Sequence, residues 1–202
     1  MMDEHQAPTG RNAVAIAISW ATATAIALLV TNLMLRELPS ELAAWMVFVG
    51  SPVLLGVAQW TVLRRLLPNA WWWIPLTIIG CGLGWVCSGG FMYLTTQLEY
   101  EVSWVPHSKL CEHLFMGVVT AVGGLGIGFI QWLYLKRYVR RAAWWLLGSA
   151  IALGVGAGFN LSAGIAATFD SGHNWLLSLS IGGLLGGGIK GATLAWLMRQ
   201  RS

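Results

Sequence analysis

The chain reads as all-α and integral to a membrane: one transmembrane domain, residues 1–202, of six helices in three tandem parallel hairpins. Three observations predict this class. Hydrophobic residues make up 56% of the chain and charged residues only 10%, where a soluble domain carries roughly 25% charged. The charges fall in short clusters between long uncharged runs, and about 20 apolar residues suffice to cross a hydrocarbon core of about 30 Å. Finally, the stretch 56–90 recurs 72 residues later with 11 identities in 35 ungapped positions, among them Gly56/Gly128, Gln59/Gln131, Trp60/Trp132, Leu63/Leu135, Arg65/Arg137, Trp72/Trp144 and Trp73/Trp145.

The uncharged runs set the six spans in order, at about 12–35, 43–63, 71–95, 113–135, 143–168 and 174–198. Helices are required, because an unpaired backbone group in lipid costs several kcal/mol. A barrel would need alternating ten-residue strands, and these runs do not alternate. Residues 1–12 are polar with both signs of charge, and the first apolar run is too long for a signal-peptide core, so it reads as a retained first span.

Basic residues set the orientation. With six spans, Arg11, Arg64, Arg65, Lys136, Arg137, Arg140, Arg141, Arg199 and Arg201 fall on one side, and only Arg36 and Lys109 on the other. The excess places both termini and the two basic turns in the cytoplasm, in a bacterial inner or other energy-coupling membrane. The net charge of +4 is thus a topology signal, and too sparse for a nucleic-acid surface.

Each hairpin unit, about 12–65, 71–137 and 143–199, ends near the cytoplasm with a tryptophan and basic residues: Trp60 and Arg64, Trp132 and Lys136, Trp196 and Arg199. The third copy is the weakest, with Thr193 or Leu194 where the others have glutamine. Units of equal orientation are parallel repeats about an axis along the membrane normal. The rival reading is one duplicated segment in an asymmetric bundle. Gly-x-x-x-Gly pairs at 80/84, 124/128, 154/158, 182/186, 183/187 and 187/191 predict close backbone packing in spans three to six. A lipid or pigment lying flat on the bare strip is the other use of such a face.

The 13 tryptophans suit interfacial belts. Trp71, Trp72, Trp73, Trp144 and Trp145 fit the cytoplasmic belt, and Trp45, Trp104 and Trp175 the outer one. Trp20 and Trp85 lie deeper, where they could meet a flat ligand. The loop 96–112 is placed to fold over the outer face.

Few residues offer chemistry. Lys190 lies nine positions before Arg199, and a charge at that depth costs a few kcal/mol unless it is paired or snorkels. Either it snorkels to cytoplasmic headgroups, or it holds an anionic headgroup, a carboxylate or a partner's acid, with Gln59, Gln131 and Asn160 as neighbours. A retinal Schiff base lacks its carboxylate counter-ion. Gln59 and Gln131 are expected as interhelical clasps or ligand contacts. His113 could ligate a macrocycle's metal axially, but as an isolated interfacial histidine it reads first as hydrated. Cys111, Glu112 and His113, with His107 nearby, are a weak metal-site candidate because adjacent residues do not share a helix face, and the three cysteines have no metal or redox spacing. No metal site, catalytic triad, phosphate loop or paired carboxylates are expected.

The pattern Gln59–Arg65 with Trp72–Trp73, repeated at Gln131–Arg137 with Trp144–Trp145, resembles a group of bacterial membrane proteins of no established activity, many from phototrophs. The resemblance covers spans two to five and implies architecture, with some leaning toward a pigment-associated role. The leading expectation is a non-enzymatic accessory or scaffold subunit that packs against other membrane helices, lipid or pigment. Lys190, Gln59, Gln131, Asn160, Trp85 and His113 are its candidate ligand contacts. The rival is a small-solute transporter or an importer's membrane substrate-binding component, which the chain resembles in size and span number. Lipid-modifying chemistry at His107, Glu112 and His113 is a third, weaker alternative.

Overall fold

The computed structural model describes residues 10–101, 109–169 and 174–200; at 10–11, 98–101, 109–110, 112–113, 157–169 and 174–180 it describes the backbone alone. Six long helices follow one another: α1 Gly10–Glu37, α2 Ser40–Leu63, α3 Trp73–Glu101, α4 Lys109–Leu135, α5 Trp144–Phe169 and α6 Asn174–Arg199. The protein is all-helical among the described residues. Five segments, Asn12–Glu37, Ser40–Leu63, Ala70–Gln97, Leu114–Leu135 and Ile181–Arg199, are long and apolar enough to cross a membrane. In α5, the stretch with described side chains, Trp144–Gly156, is a shorter apolar helix.

Local chemistry explains the irregular points. Pro52 has no N–H to offer the carbonyl one turn back, and α2 widens into a π-turn over Met46–Gly50 just before it. Ser51 Oγ takes up the Val47 carbonyl there at 2.7 Å. Pro75 sits in the first turn of α3, where helix donors have no partner in any case. Between α2 and α3 the chain reverses at Asn69, whose φ of 54° lies in the left-handed region that asparagine tolerates.

Each helix packs on its two neighbours in sequence, and α6 closes on α1, so the six form a ring. The α1–α6 interface is as extensive as that of α4 with α5, although no local turn joins α1 to α6. The main core lies at the end of the ring that carries the basic turns. Trp20, Leu63, Leu67, Trp73, Leu135, Val139, Trp145, Leu194, Leu197 and Met198 are all buried there. Outward faces carry apolar side chains in the open, such as Ile18, Ile79, Val86, Val118 and Leu147, which suits a lipid solvent.

The two basic turns are built alike. Leu66 N and Leu67 N donate to Leu63 O at 2.8 and 2.9 Å, and Tyr138 N and Val139 N to Leu135 O at 2.9 and 3.0 Å. Arg64 lies over the Trp60 ring at 5.2 Å from its centroid and Lys136 over the Trp132 ring at 4.9 Å. Tyr134 Oη donates to Pro68 O at 2.9 Å, which ties α4 to the first turn and puts both turns at one end.

The tryptophans divide differently from the belt expected of them. Trp71, Trp72 and Trp144 are half-exposed, as an interfacial anchor should be, but Trp73 and Trp145 are fully buried. The reason is rotational: in each Trp-Trp pair the second ring turns about 100° further round the helix, from the lipid face to the ring's interior.

Candidate functional site: a buried glutamine, lysine and tryptophan cluster

Three indoles meet inside the ring. The centroids of Trp20, Trp73 and Trp145 lie 5.8, 5.8 and 5.7 Å apart, with planes crossed at 80°, 88° and 72°. Such edge-to-face contacts add about 0.5–1.5 kcal/mol each beyond area burial. One ring comes from each of α1, α3 and α5, and each is followed one turn later by a hydroxyl residue: Thr24, Thr77 and Ser149.

The facing helices supply a glycine and, three residues on, a long polar side chain. Gly56 in α2 lies against Thr77, Gly128 in α4 against Ser149 and Gly187 in α6 against Thr24. A Cβ added at each would sit 3.4, 2.9 and 2.9 Å from that residue's Cβ. The backbone one residue after each tryptophan is equally near, at 3.1 Å for Ile74, 3.2 Å for Leu146 and 3.0 Å for Ala21. At Gly128 and Gly187 a side chain would force its neighbour back, and at Gly56 the neighbour would have to give by a few tenths of an ångström. The side chains three residues on are Gln59, Gln131 and Lys190, and seven on are Leu63, Leu135 and Leu194, all buried. Lys190, and not Thr193 or Leu194, therefore holds the place in α6 that the glutamines hold in α2 and α4.

Hydrogen bonds follow this register. Trp73 Nε1 donates to Gln59 Oε1 at 2.9 Å, and Trp145 Nε1 to Gln131 Oε1 at 3.0 Å. Gln131 Oε1 also accepts from Lys190 Nζ at 3.0 Å, while its Nε2 donates to Thr77 Oγ1 at 3.2 Å. Indole N–H and lysine only donate, so the amide must turn its oxygen toward them. Thr77 Oγ1 passes its own proton to Trp73 O at 2.8 Å. Gln131 thus joins α3, α4, α5 and α6. Lys190 Nζ additionally lies 4.9 Å from the Trp145 ring centroid, within cation–π range.

Lys190 does not snorkel. Its side chain is 6% exposed and turned inward. Gln59 and Gln131 clasp helices as expected. Trp85 faces outward, 53% exposed, against Phe48 at 5.6 Å, so it is remote from the cluster. The side chains of Asn160 and His113, and the loop residues Trp104 and His107, lie outside the described residues. Among the described residues no group of three or more His, Cys, Asp or Glu could hold a metal ion.

The cluster contains a gap. Trp20 Nε1, Thr24 Oγ1 and Ser149 Oγ are buried and lack a hydrogen-bond partner. Trp20 was expected deep in the bundle, but its match to Trp73 and Trp145 and both hydroxyls were missed, though a signal existed: Trp20, Ala25, Ile26, Ala27, Leu28 and Val30 match Trp145, Ala150, Ile151, Ala152, Leu153 and Val155. Compared with protein-family models, with curated proteins and with solved structures, the chain has no match.

Proposed function

We propose that the chain crosses a bacterial inner membrane six times as three hairpin repeats, termini and basic turns cytoplasmic, and acts without catalysis as an accessory or scaffold subunit. Its partners on this reading are other membrane helices, lipid or pigment. The observation that carries it is the sealed axis: three fully buried indoles in mutual contact fill the interior at the basic-turn end, leaving the outer face for interaction. On that face Trp144, Leu147, Gly148, Ile151, Ile189, Ala192, Thr193 and Trp196 line an apolar groove of about 410 Å3 between α5 and α6, a shape suited to an acyl chain or a neighbouring helix.

Gentle extraction from native membranes, with mass spectrometry and an absorption spectrum of the product, tests the role. A stable complex with other membrane subunits or a bound chromophore is expected; a lone, ligand-free monomer overturns it. Cysteine labelling tests the topology, with Cys81, Cys87 and Cys111 changed to serine. Arg140→Cys should react only after permeabilisation and Pro39→Cys in intact cells; reaction of both from one side refutes six crossings.

The buried amine of Lys190 beside unpartnered polar groups favours one rival, the transporter or importer component. Under it, Lys190→Ala abolishes uptake of an anionic solute; unchanged uptake removes that reading.

A further inference from the structure

We infer that the protein encloses one small monovalent anion, of chloride chemistry, held by Lys190 Nζ, Trp20 Nε1 and Ser149 Oγ. Glutamine at a matching place shows what the position can do. At Gln131 one side chain performs two tasks: its oxygen accepts the indole N–H of Trp145, and its nitrogen donates to the Thr77 hydroxyl. In α6 the register of Gly187 against Thr24 and Ala21 sets Lys190 between Trp20 and Ser149 in the same way. A charged lysine cannot do both tasks, because an ammonium has three donors and no acceptor.

The consequence is visible in the cluster. Trp20 Nε1 and Ser149 Oγ, the two groups a glutamine at 190 would meet if it copied Gln131, are both buried and without a partner, as is Thr24 Oγ1. A Cβ at Gly191 would lie 3.0 Å from Trp20 Cβ, so the tryptophan is pressed against this turn of α6. What the spot lacks is an acceptor. The spans hold no charged one, since no Asp or Glu occurs between residues 5 and 36, 42 and 98, 113 and 169, or 171 and 202. Gln131 Oε1 already accepts two hydrogen bonds and has no third lone pair to give.

An anion answers this for Trp20, Ser149 and Lys190. It accepts from the indole, the hydroxyl and the ammonium together, and it cancels a charge whose burial unpaired is costly. A water molecule would leave that charge standing. The occupant is small, because the three indoles close the interior on one side at contact distance. The inference is independent of the role proposed above, since a structural ion serves a scaffold and a transporter alike.

The test uses full-length protein in detergent, unfolded by heat and followed by tryptophan fluorescence, in sodium chloride or bromide against sodium gluconate at constant ionic strength. Wild-type protein is expected to gain thermal stability saturably with chloride or bromide and not with gluconate. Lys190→Gln restores the glutamine pattern, so it is expected to fold, to match or exceed the wild type in gluconate, and to lose the halide response. Ser149→Ala, a milder change, is expected to raise the half-saturating halide concentration about tenfold, as loss of one hydrogen bond to a charged group does. Stability identical in halide and gluconate overturns the inference and leaves water or an uncharged amine at the spot. A halide response of full size in Lys190→Gln or Ser149→Ala also overturns it, by locating the ion elsewhere.

Discussion

Gln59 and Gln131 are the same residue at matched positions of two similar helix pairs, α2–α3 and α4–α5, yet they do unequal work. Gln59 accepts one indole N–H. Gln131 accepts an indole N–H and a lysine amine, and donates to a threonine. The difference comes from the next helices round the ring. Gln131 has Thr77 on one side and Lys190 on the other, whereas Gln59 adjoins the pair in which lysine replaces glutamine. Repetition of sequence therefore fixed the local clasp, and position in the ring decided how many helices the clasp joins.

The largest expected effect tests this directly. Gln131→Leu removes one amide and leaves two buried donors, Trp145 Nε1 and Lys190 Nζ, without their acceptor, while Thr77 Oγ1 keeps its bond to Trp73 O. With interhelical hydrogen bonds in membrane proteins averaging about 0.6 kcal/mol and an unsatisfied buried group costing about 1–3, the loss is about 2–4 kcal/mol. Gln59→Leu orphans only Trp73 Nε1 and should cost about 1 kcal/mol. Unfolding in mixed micelles measures both, and equal losses would show that the two clasps are equivalent after all.

The comparison also explains what could be read in advance. Helical, membrane-like character was legible because composition and charge spacing answer to the solvent alone. The basic turns were legible too, since Arg64 and Lys136 repeat in sequence and stack alike on Trp60 and Trp132. The fate of Trp73 and Trp145 was not. Belt statistics put tryptophan at interfaces, but whether an indole faces lipid or the interior depends on helix rotation within the ring. Lys190 was visible as an oddity, and its acceptor, Gln131, was among the residues expected near it. Its alignment was missed for a physical reason: the reading followed Trp196, whose half-exposed ring serves the outer surface, while Gly187 and Leu194 carry the packing.

A second difference between the pairs lies in backbone approach. A Cβ at Gly124 would sit 2.5 Å from Ser149 O and 2.8 Å from Ala150 Cα. The matching place in α2 is Pro52, whose ring cannot come so near, and the α2–α3 interface is correspondingly the less extensive. Gly124→Ala should therefore pry α4 from α5 toward the spacing of the first pair, at about 1–3 kcal/mol, read as a lower unfolding temperature. An unchanged temperature would mean that the two interfaces differ for some reason other than the glycine.

The smallest effect is the sharpest discriminator, because it uses residues that are identical in both copies. Gly82 and Gly154 align in the repeat, but an added Cβ at Gly82 would meet nothing within 4 Å, whereas at Gly154 it would lie 3.1 Å from Gly117 O and 3.2 Å from Ala121 Cβ. Gly82 faces outward and Gly154 faces α4. At Gly82 only helix propensity is at stake, and alanine gains about 0.5–1 kcal/mol over glycine in a helix interior, so Gly82→Ala should be neutral to slightly stabilising. At Gly154 the same gain is offset by a contact with backbone that must give by a few tenths of an ångström, so Gly154→Ala should be neutral to about 1 kcal/mol destabilising. The sign of the difference between the two variants, measured side by side by thermal unfolding, carries the information. If Gly82→Ala is the more damaging, something outside the ring lies against α3 at that point, and the outward face of the first copy is a contact surface in its own right.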